Sequence, residues 1–383
     1  NINWSAWRIQ GIKGGLLMKK AVIVGYGNMG SKYAEQLYNG QIKDLSLYGV
    51  LCRNQPGQQK IRESMPGVVV FPDENAMFEA CGNFDALIIT TPHKEHVRVV
   101  QKAQHAGLHV LCEKPLGITV KECEVLSYEP AACVNAMVFN WRAREIYRQV
   151  RKYIHCGNLG RLTQVVWTAN FWYRPAFYHH ASAWRSSWGG EGGGLLINQC
   201  QHLLDMWNWL FGQPCEVSAQ LGYGRYSDIG VDDKASLFFR HENGMWGVFV
   251  SSSGDSPGTN RLEIHGELGK LVAEDDRFLT IFRNEASTIQ VAETSEEMYP
   301  KISCTEERRE VKQAESEYTI ILQNFADAME GREEPLATIA DGRRALENCN
   351  AAYLSDWRQK KTEIPCDAAA YDRELQKKIQ EEL

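Results

Sequence analysis

The sequence predicts an α/β chain in two parts: an N-terminal doubly wound parallel sheet, then an α+β domain with a large, mostly antiparallel sheet flanked by helices. Three observations predict it. Up to Phe139, near-continuous apolar runs alternate with helix-compatible segments, the rhythm of buried parallel strands joined by crossover helices. After Phe139 the rhythm changes, and beyond one helical pattern come short strands of period-two alternation between glycine and Asx turns, which is the signature of antiparallel pairing. Two helical patterns, Glu315 to Glu330 and Ile339 to Arg358, then close the chain.

At 383 residues the chain exceeds one ordinary hydrophobic core, so two or three domains are expected. Hydrophobic residues at 44% and charged residues at 23% are ordinary values for a folded protein. With Lys+Arg 42 against Asp+Glu 48, the net charge of −6 offers no basic surplus for nucleic acid or an anionic membrane. The 11 cysteines form no CxxC or CxxH pair, so free thiols in a reducing compartment, the cytoplasm, are expected rather than a disulfide framework. No apolar run approaches the length of about 18 residues that a membrane span requires. Residues 1–17 precede a Met18-Lys-Lys that leads straight into a strand, and are expected to be a non-native or upstream extension outside the fold.

The first element, Ala21 to Val24, is an apolar strand followed by Gly25-Tyr-Gly-Asn-Met-Gly30 and a helix-compatible run from Ser31 to Leu37. This is the strand, glycine turn and helix of a Rossmann dinucleotide fingerprint. Gly25 permits the turn, Gly27 lets a pyrophosphate approach the backbone beside Asn28 and Met29, and Gly30 allows close helix packing. The second strand, Leu45 to Leu51, ends in Cys52-Arg53, where a ribose-binding carboxylate usually stands. A neutral Cys52 and a cationic Arg53 tilt the expectation from NAD towards NADP, the alternative being that Arg53 stacks on adenine or faces solvent. Asp85 to Thr91 and His109 to Cys112 are further buried strands. Their carboxyl ends carry Thr91, Pro92, His93, Glu113 and Lys114, which are expected at the nicotinamide end of a nucleotide cleft. Ala131 to Phe139 reads as a sixth strand and closes the dinucleotide-binding domain, 18–139.

The second domain, 140–383, opens on an amphipathic helix from Arg142 to His155. Its centre is Gly189 to Gly212, a glycine cluster leading into an apolar helix on which Asn198 and His202 stand four apart and so share a face. A fixed imidazole beside a glycine-opened cavity suits proton chemistry, against the plainer alternative of a polar seam on a core helix. Just upstream, Trp172 to Arg185 mixes rings with cations. Tyr173, Arg174, Tyr178, Trp184 and Arg185 are candidate walls of a carbohydrate pocket, the alternative being an aromatic core or subunit interface. His179, His180, Cys200 and His202 match no metal-site spacing, so no metal is expected.

Taken together, GYGNMG, the CEKPLG strand end and GGGLLINQCQHLLD resemble the Gfo/Idh/MocA oxidoreductases, the glucose-fructose oxidoreductase and inositol dehydrogenase group, and the resemblance runs from Met18 to Leu383. It implies NAD(P)-dependent oxidation or reduction of a secondary alcohol or ketone on a sugar, cyclitol or glycoside. It also maps a lysine and a histidine that flank the reacting carbon onto Lys114 and His202, with Asn198 where the family carries an aspartate. His202 would then take the hydroxyl proton while Lys114 stabilises the alkoxide. The segment from Trp184-Arg185 to the glycine cluster resembles the glycoside-oxidising branch, which points to C3 of a hexose. The resemblance further implies a homodimer or homotetramer built on the large sheet. Two other functions stay open: an NAD-dependent glycosidase working by transient C3 oxidation, and a catalytically silent cofactor-binding regulator.

Overall fold

A computed structural model describes residues 18–128, 132–182 and 184–382. The expected extension over residues 1–17 and the start of the expected sixth strand at Ala131 lie outside the described residues. The first sheet is wholly parallel and comprises β1 (Lys19–Val24), β2 (Leu45–Leu51), β3 (Val69–Phe71), β4 (Ala86–Ile89), β5 (His109–Cys112) and β6 (Asn135–Met137). Its order is β3-β2-β1-β4-β5-β6, so the winding reverses between β1 and β4 and a crevice opens at their carboxyl ends. Ala21 to Val24 and Ala86 to Ile89 are at most 1% exposed, which is why these strands read as unbroken apolar runs.

The second sheet has nine strands: β7 (Leu162–Ala169), β8 (Glu216–Tyr223), β9 (Asp232–Arg240), β10 (Trp246–Ser252), β11 (Asn260–Gly266), β12 (Gly269–Glu274), β13 (Phe278–Asn284), β14 (Cys304–Glu310) and β15 (Thr362–Glu363). Their order is β14-β13-β12-β11-β7-β10-β9-β8-β15. Every neighbouring pair is antiparallel except β7 with β10, which is parallel. One face is dry, with Trp167, Leu237, Phe239, Phe249, Leu262 and Ile264 fully buried. The helix Gln201–Phe211 contributes to that layer, Trp207 lying 4.9 Å from Phe239. The opposite face carries Phe238 at 54% and Trp246 at 57% exposure.

Two helical expectations are corrected. The helix expected from Arg142 begins instead at Glu145–His155, after a short 3-10 turn over Asn140–Ala143. Arg142 is drawn inward there, its Nε and Nη2 donating to Asp205 at 2.8 and 2.6 Å and its Nη1 to the Leu336 carbonyl at 2.8 Å. The helix expected to follow the glycine cluster without a break is two helices, Leu195–Asn198 and Gln201–Phe211. The Cys200 amide donates five residues back to the Leu195 carbonyl at 3.0 Å, and the Leu203 and Leu204 amides both donate to Cys200 O. This widened turn breaks the 3.6-residue repeat between Asn198 and His202.

Candidate active site

A cleft of about 560 Å³ lies at the carboxyl ends of β1, β2, β4 and β5. Its floor is the glycine turn. Gly25 has φ +100°, and a Cβ there would meet Thr90 O at 3.1 Å. Thr90 Oγ1 in turn donates to Gly25 O at 2.8 Å. A Cβ on Gly30 would lie 2.1 Å from Gly25 O, so only glycine lets helix Asn28–Tyr38 seat against the turn. A Cβ on Gly27 would meet nothing within 4 Å, and that open space is where a ligand can reach the backbone. The helix has no side-chain cap at Gly27 and no acidic residue in its first turn. Its unsatisfied N–H groups and dipole are thus available to an anion, and the residues fit a dinucleotide pyrophosphate.

Gly25, Gly27, Asn28, Met29, Cys52, Arg53, Thr91, Pro92, His93, Glu113 and Lys114 line this cleft, joined from the second domain by Trp184, Arg185 and Asn198. Gly30, His202, Tyr173, Arg174 and Tyr178 do not. Gly30 lies beneath the turn, and Tyr173 is 56% exposed. Arg174 is stacked 4.9 Å over the Tyr178 ring. Among the described residues no group of three or more His, Cys, Asp or Glu side chains is arranged to hold a metal ion.

At the outer end, Arg53 is not alone. Its Nη2 donates to Glu74 at 3.1 Å, with Glu95 at 3.8 Å, while its side chain stays 62% exposed. Arg98 holds both Glu74 oxygens at 2.5 and 2.6 Å, and Lys102 reaches the same carboxylate at 3.0 Å. Hydrogen bonds from Arg98 and then Lys102 hold the Glu74 carboxyl down at about 2.

At the inner end, Lys114 Nζ donates to the Asn198 carbonyl at 2.9 Å and to Asn198 Oδ1 at 3.1 Å. One of its three N–H groups is left without a partner among the described residues. Asn198 Nδ2 donates to Glu191 Oε1 and, at 3.2 Å, to Tyr178 Oη. Tyr178 Oη also accepts from Arg185 Nη1 at 2.7 Å and Gln199 Nε2 at 3.1 Å. Glu191, 1% exposed, accepts from the Ser186 amide at 2.7 Å and has Arg185 Nη1 at 3.8 Å. Burial pulls the Lys114 ammonium below its ordinary value, and the Glu113 and Glu191 carboxylates oppose that. Glu113 itself is turned towards Tyr33 Oη at 2.6 Å and is pushed up by burial.

His202 is half-buried and lies edge-on to Phe139 with ring centroids 6.1 Å apart. Its Nδ1 is buried without a partner among the described residues. Burial, then the Lys114 and Arg144 charges, push the imidazole well below its ordinary value, so it is neutral. The second glycine cluster, Gly189 to Gly194, is pinned at its far end: Asp232 accepts from the Gly194 and Leu196 amides at 2.8 and 2.7 Å, and Tyr353 Oη donates to Asp232 at 2.6 Å. Sequence reasoning missed Glu191, Gln199 and Glu74. The only signal for Glu191 was a carboxylate in a run of five glycines.

Residues 19–131 match a model described as the oxidoreductase family, NAD-binding Rossmann fold, and residues 147–272 match the GFO/IDH/MocA C-terminal domain. Levoglucosan dehydrogenase of Pseudarthrobacter phenanthrenivorans is 28% identical over 223 residues, 49% of this chain and 55% of the relative. Inositol 2-dehydrogenase of Rhizobium meliloti is 27% identical over 212 residues, 53% of this chain and 61% of the relative. The matches thus span little more than half the length of these curated relatives. Among solved structures, levoglucosan dehydrogenase in complex with NADH superposes with a TM-score of 0.76 at 19% identity, covering 91% of this chain and 100% of that one. The WlbA dehydrogenase from Bordetella pertussis, in complex with NADH and UDP-GlcNAcA, superposes with a TM-score of 0.72 at 23% identity, covering 91% and 99%. At these identities the likeness concerns the fold.

Proposed function

Since the chain belongs to the Gfo/Idh/MocA oxidoreductase family, we propose that it moves a hydride between a nicotinamide cofactor and the CH–OH carbon of a sugar, cyclitol or glycoside, C3 of a hexose being the favoured position. The observation that carries this is the Lys114 ammonium at the inner end of a dinucleotide-shaped cleft, held by Asn198 with one N–H to spare. When bound, the nicotinamide takes or returns the hydride. Lys114 donates its remaining N–H to the substrate oxygen and stabilises alkoxide character there. Asn198 fixes that ammonium, and Trp184 and Arg185 offer the substrate a ring face and a guanidinium. His202 is neutral and has an unpaired nitrogen, which suits the base that receives the hydroxyl proton.

The domains are taken as 18–139 and 140–383. NADP is the favoured cofactor. No carboxylate ends β2, and the exposed Arg53 shares a Glu74 already held by Arg98 and Lys102, so it can turn to a 2′-phosphate at small cost. Phe238 and Trp246 on the open face of the second sheet support a homodimer or homotetramer packed through that face. All 11 cysteines are unpaired, which supports a reducing compartment, the cytoplasm.

The test is absorbance of reduced nicotinamide with a panel of sugars, cyclitols and glycosides, for the wild type, Lys114→Ala and His202→Ala. Each substitution is expected to lower turnover by about 10²-fold or more while cofactor binding persists. Near-wild-type turnover in either variant removes that residue from the mechanism. Glycoside cleavage with no net absorbance change would instead identify a redox-neutral glycosidase.

A further inference from the structure

Asn198 is a neutral amide held between two opposite charges. An ammonium can only donate and a carboxylate can only accept, so Lys114 fixes the Asn198 oxygen on its side and Glu191 fixes the NH₂ on the other. An aspartate at 198 would face Glu191 carboxylate to carboxylate and lose that bond. Glu191 is anchored independently by the Ser186 amide and lies near Arg185, and its main-chain oxygen meets His93 Nδ1 at 3.2 Å. Burial pushes the Glu191 carboxyl up, and the Ser186 amide, Arg185, Lys114 and Asn198 oppose that; as a carboxylate one amide away from the working ammonium, it acts through a low local dielectric that lengthens its reach.

We propose that Glu191 is a positioning residue that keeps Lys114 in its ammonium form, acting through the Asn198 amide. The proposal rests on Lys114 serving the substrate oxygen as a cation. The charged and titratable groups that face Lys114 are Glu113 beside it in the chain, Glu191 and Arg185 from the glycine turn and its approach, and Arg174. His93 and His96 from helix His93–His105 and His202 from helix Gln201–Phe211 also feel it. Only the two carboxylates favour the ammonium, Glu113 the more strongly. Removing Glu191 therefore leaves Glu113 as the one carboxylate set against burial and the arginines, and the Lys114 pKa falls. At an effective dielectric of about 20, a charge one side-chain amide away interacts strongly enough to move a pKa by about one unit.

The experiment reads Lys114 directly, from the pH dependence of its acetylation by acetic anhydride in the purified protein, followed by peptide mass spectrometry. The basic limb of kcat/KM is measured in parallel. Glu191→Gln is expected to move the Lys114 titration down by about one pH unit or more, and the basic limb with it. The double variant E191Q/N198D, which exchanges the carboxylate and the amide, is expected to bring both back towards the wild-type position. An unchanged Lys114 titration in Glu191→Gln overturns the proposal. If that variant does not fold, Asn198→Ala, which removes the bridge, is expected to shift the titration in the same direction, and no shift there overturns it equally. A shifted Lys114 titration in a protein that turns over none of the alcohols would uphold Glu191 and defeat the proposed function, so the two failures are distinguishable.

Discussion

Substitutions at Gly27 and Gly30 separate binding from packing. At Gly30 an alanine methyl would stand 2.1 Å from Gly25 O and 2.6 Å from Thr90 Oγ1. Ordinary contact is about 3.4 Å or more, so the turn must move by roughly an ångström, and overpacking of this kind costs about 1–3 kcal/mol. That displacement also misplaces the helix N-terminus, where each hydrogen bond to a charged phosphate contributes about 1.5–3 kcal/mol. At Gly27 the added methyl meets nothing within 4 Å. Its effect falls on the ligand alone, since it occupies the space a pyrophosphate needs. Gly30→Ala is therefore expected to lower both the thermal midpoint and dinucleotide affinity. Gly27→Ala is expected to leave the midpoint unchanged while weakening affinity by about 10-fold or more, the equivalent of losing one such bond. Scanning calorimetry and isothermal titration with NAD and NADP read the two quantities. Normal affinity in Gly27→Ala would show that the pyrophosphate does not lie over this turn, and normal stability in Gly30→Ala would refute the packing argument.

Three further outcomes are expected. Arg53→Ala should weaken NADP about 10-fold or more with little change for NAD, read from the two KM values; equal losses would mean that Arg53 does not meet a 2′-phosphate. Glu74→Gln tests the charge cluster by pH. Because the native Glu74 carboxyl is held at about 2 against an ordinary 4.5, its stabilisation is complete above the ordinary value and is lost as pH falls towards 2. The urea midpoint of wild type should therefore exceed that of the variant at pH 7, and the gap should narrow from pH 5 downward; a gap independent of pH would refute the assignment. Paired glutamates at Phe238 and Trp246, which are 54% and 57% exposed, should yield a monomer by sedimentation without lowering helix or strand content, and an unchanged oligomer would move the interface elsewhere.

The parts legible in the sequence were those whose burial imposes a simple pattern. β1 and β4 are dry on both faces and read as apolar runs, and β7, β9 and β11 alternate because one face is dry. β3 is only Val-Val-Phe, too short to show a period, and β14 is Cys-Thr-Glu-Glu-Arg-Arg-Glu on an outer edge, where charge blunts further pairing and leaves no apolar signal. The break at Gln199 and Cys200 was invisible because Leu195, Leu196, Ile197, Cys200, Leu203 and Leu204 are buried and so are the polar Asn198, Gln199 and Gln201 between them, and periodicity cannot locate a wide turn where burial does not alternate with exposure. Lys114 was legible from its place at a strand end. Glu191 was not, because what gives it a role is an amide at 198, a backbone N–H at 186 and a guanidinium at 185, none of them in a fixed register with it.

The parallel pairing of β7 with β10 has a kinetic consequence. β8-β9-β10 and β11-β12-β13-β14 are each runs of neighbouring antiparallel strands that can zip locally, but they touch only through β7, which precedes both in the chain and lies between them. Closing β7 onto β10 spans the glycine turn, the helix Gln201–Phe211 and two strands, a long loop whose entropy must be overcome before any contact rewards it. Closing β7 onto β11 spans a longer stretch still, so the β7 junction, with its seam under Trp167 and Phe249 where the two meanders become one surface, is expected to close late. Until it closes, the chain holds two half-sheets with unsatisfied edges, and the concentration at which refolding is attempted will decide whether those edges find β7 or each other.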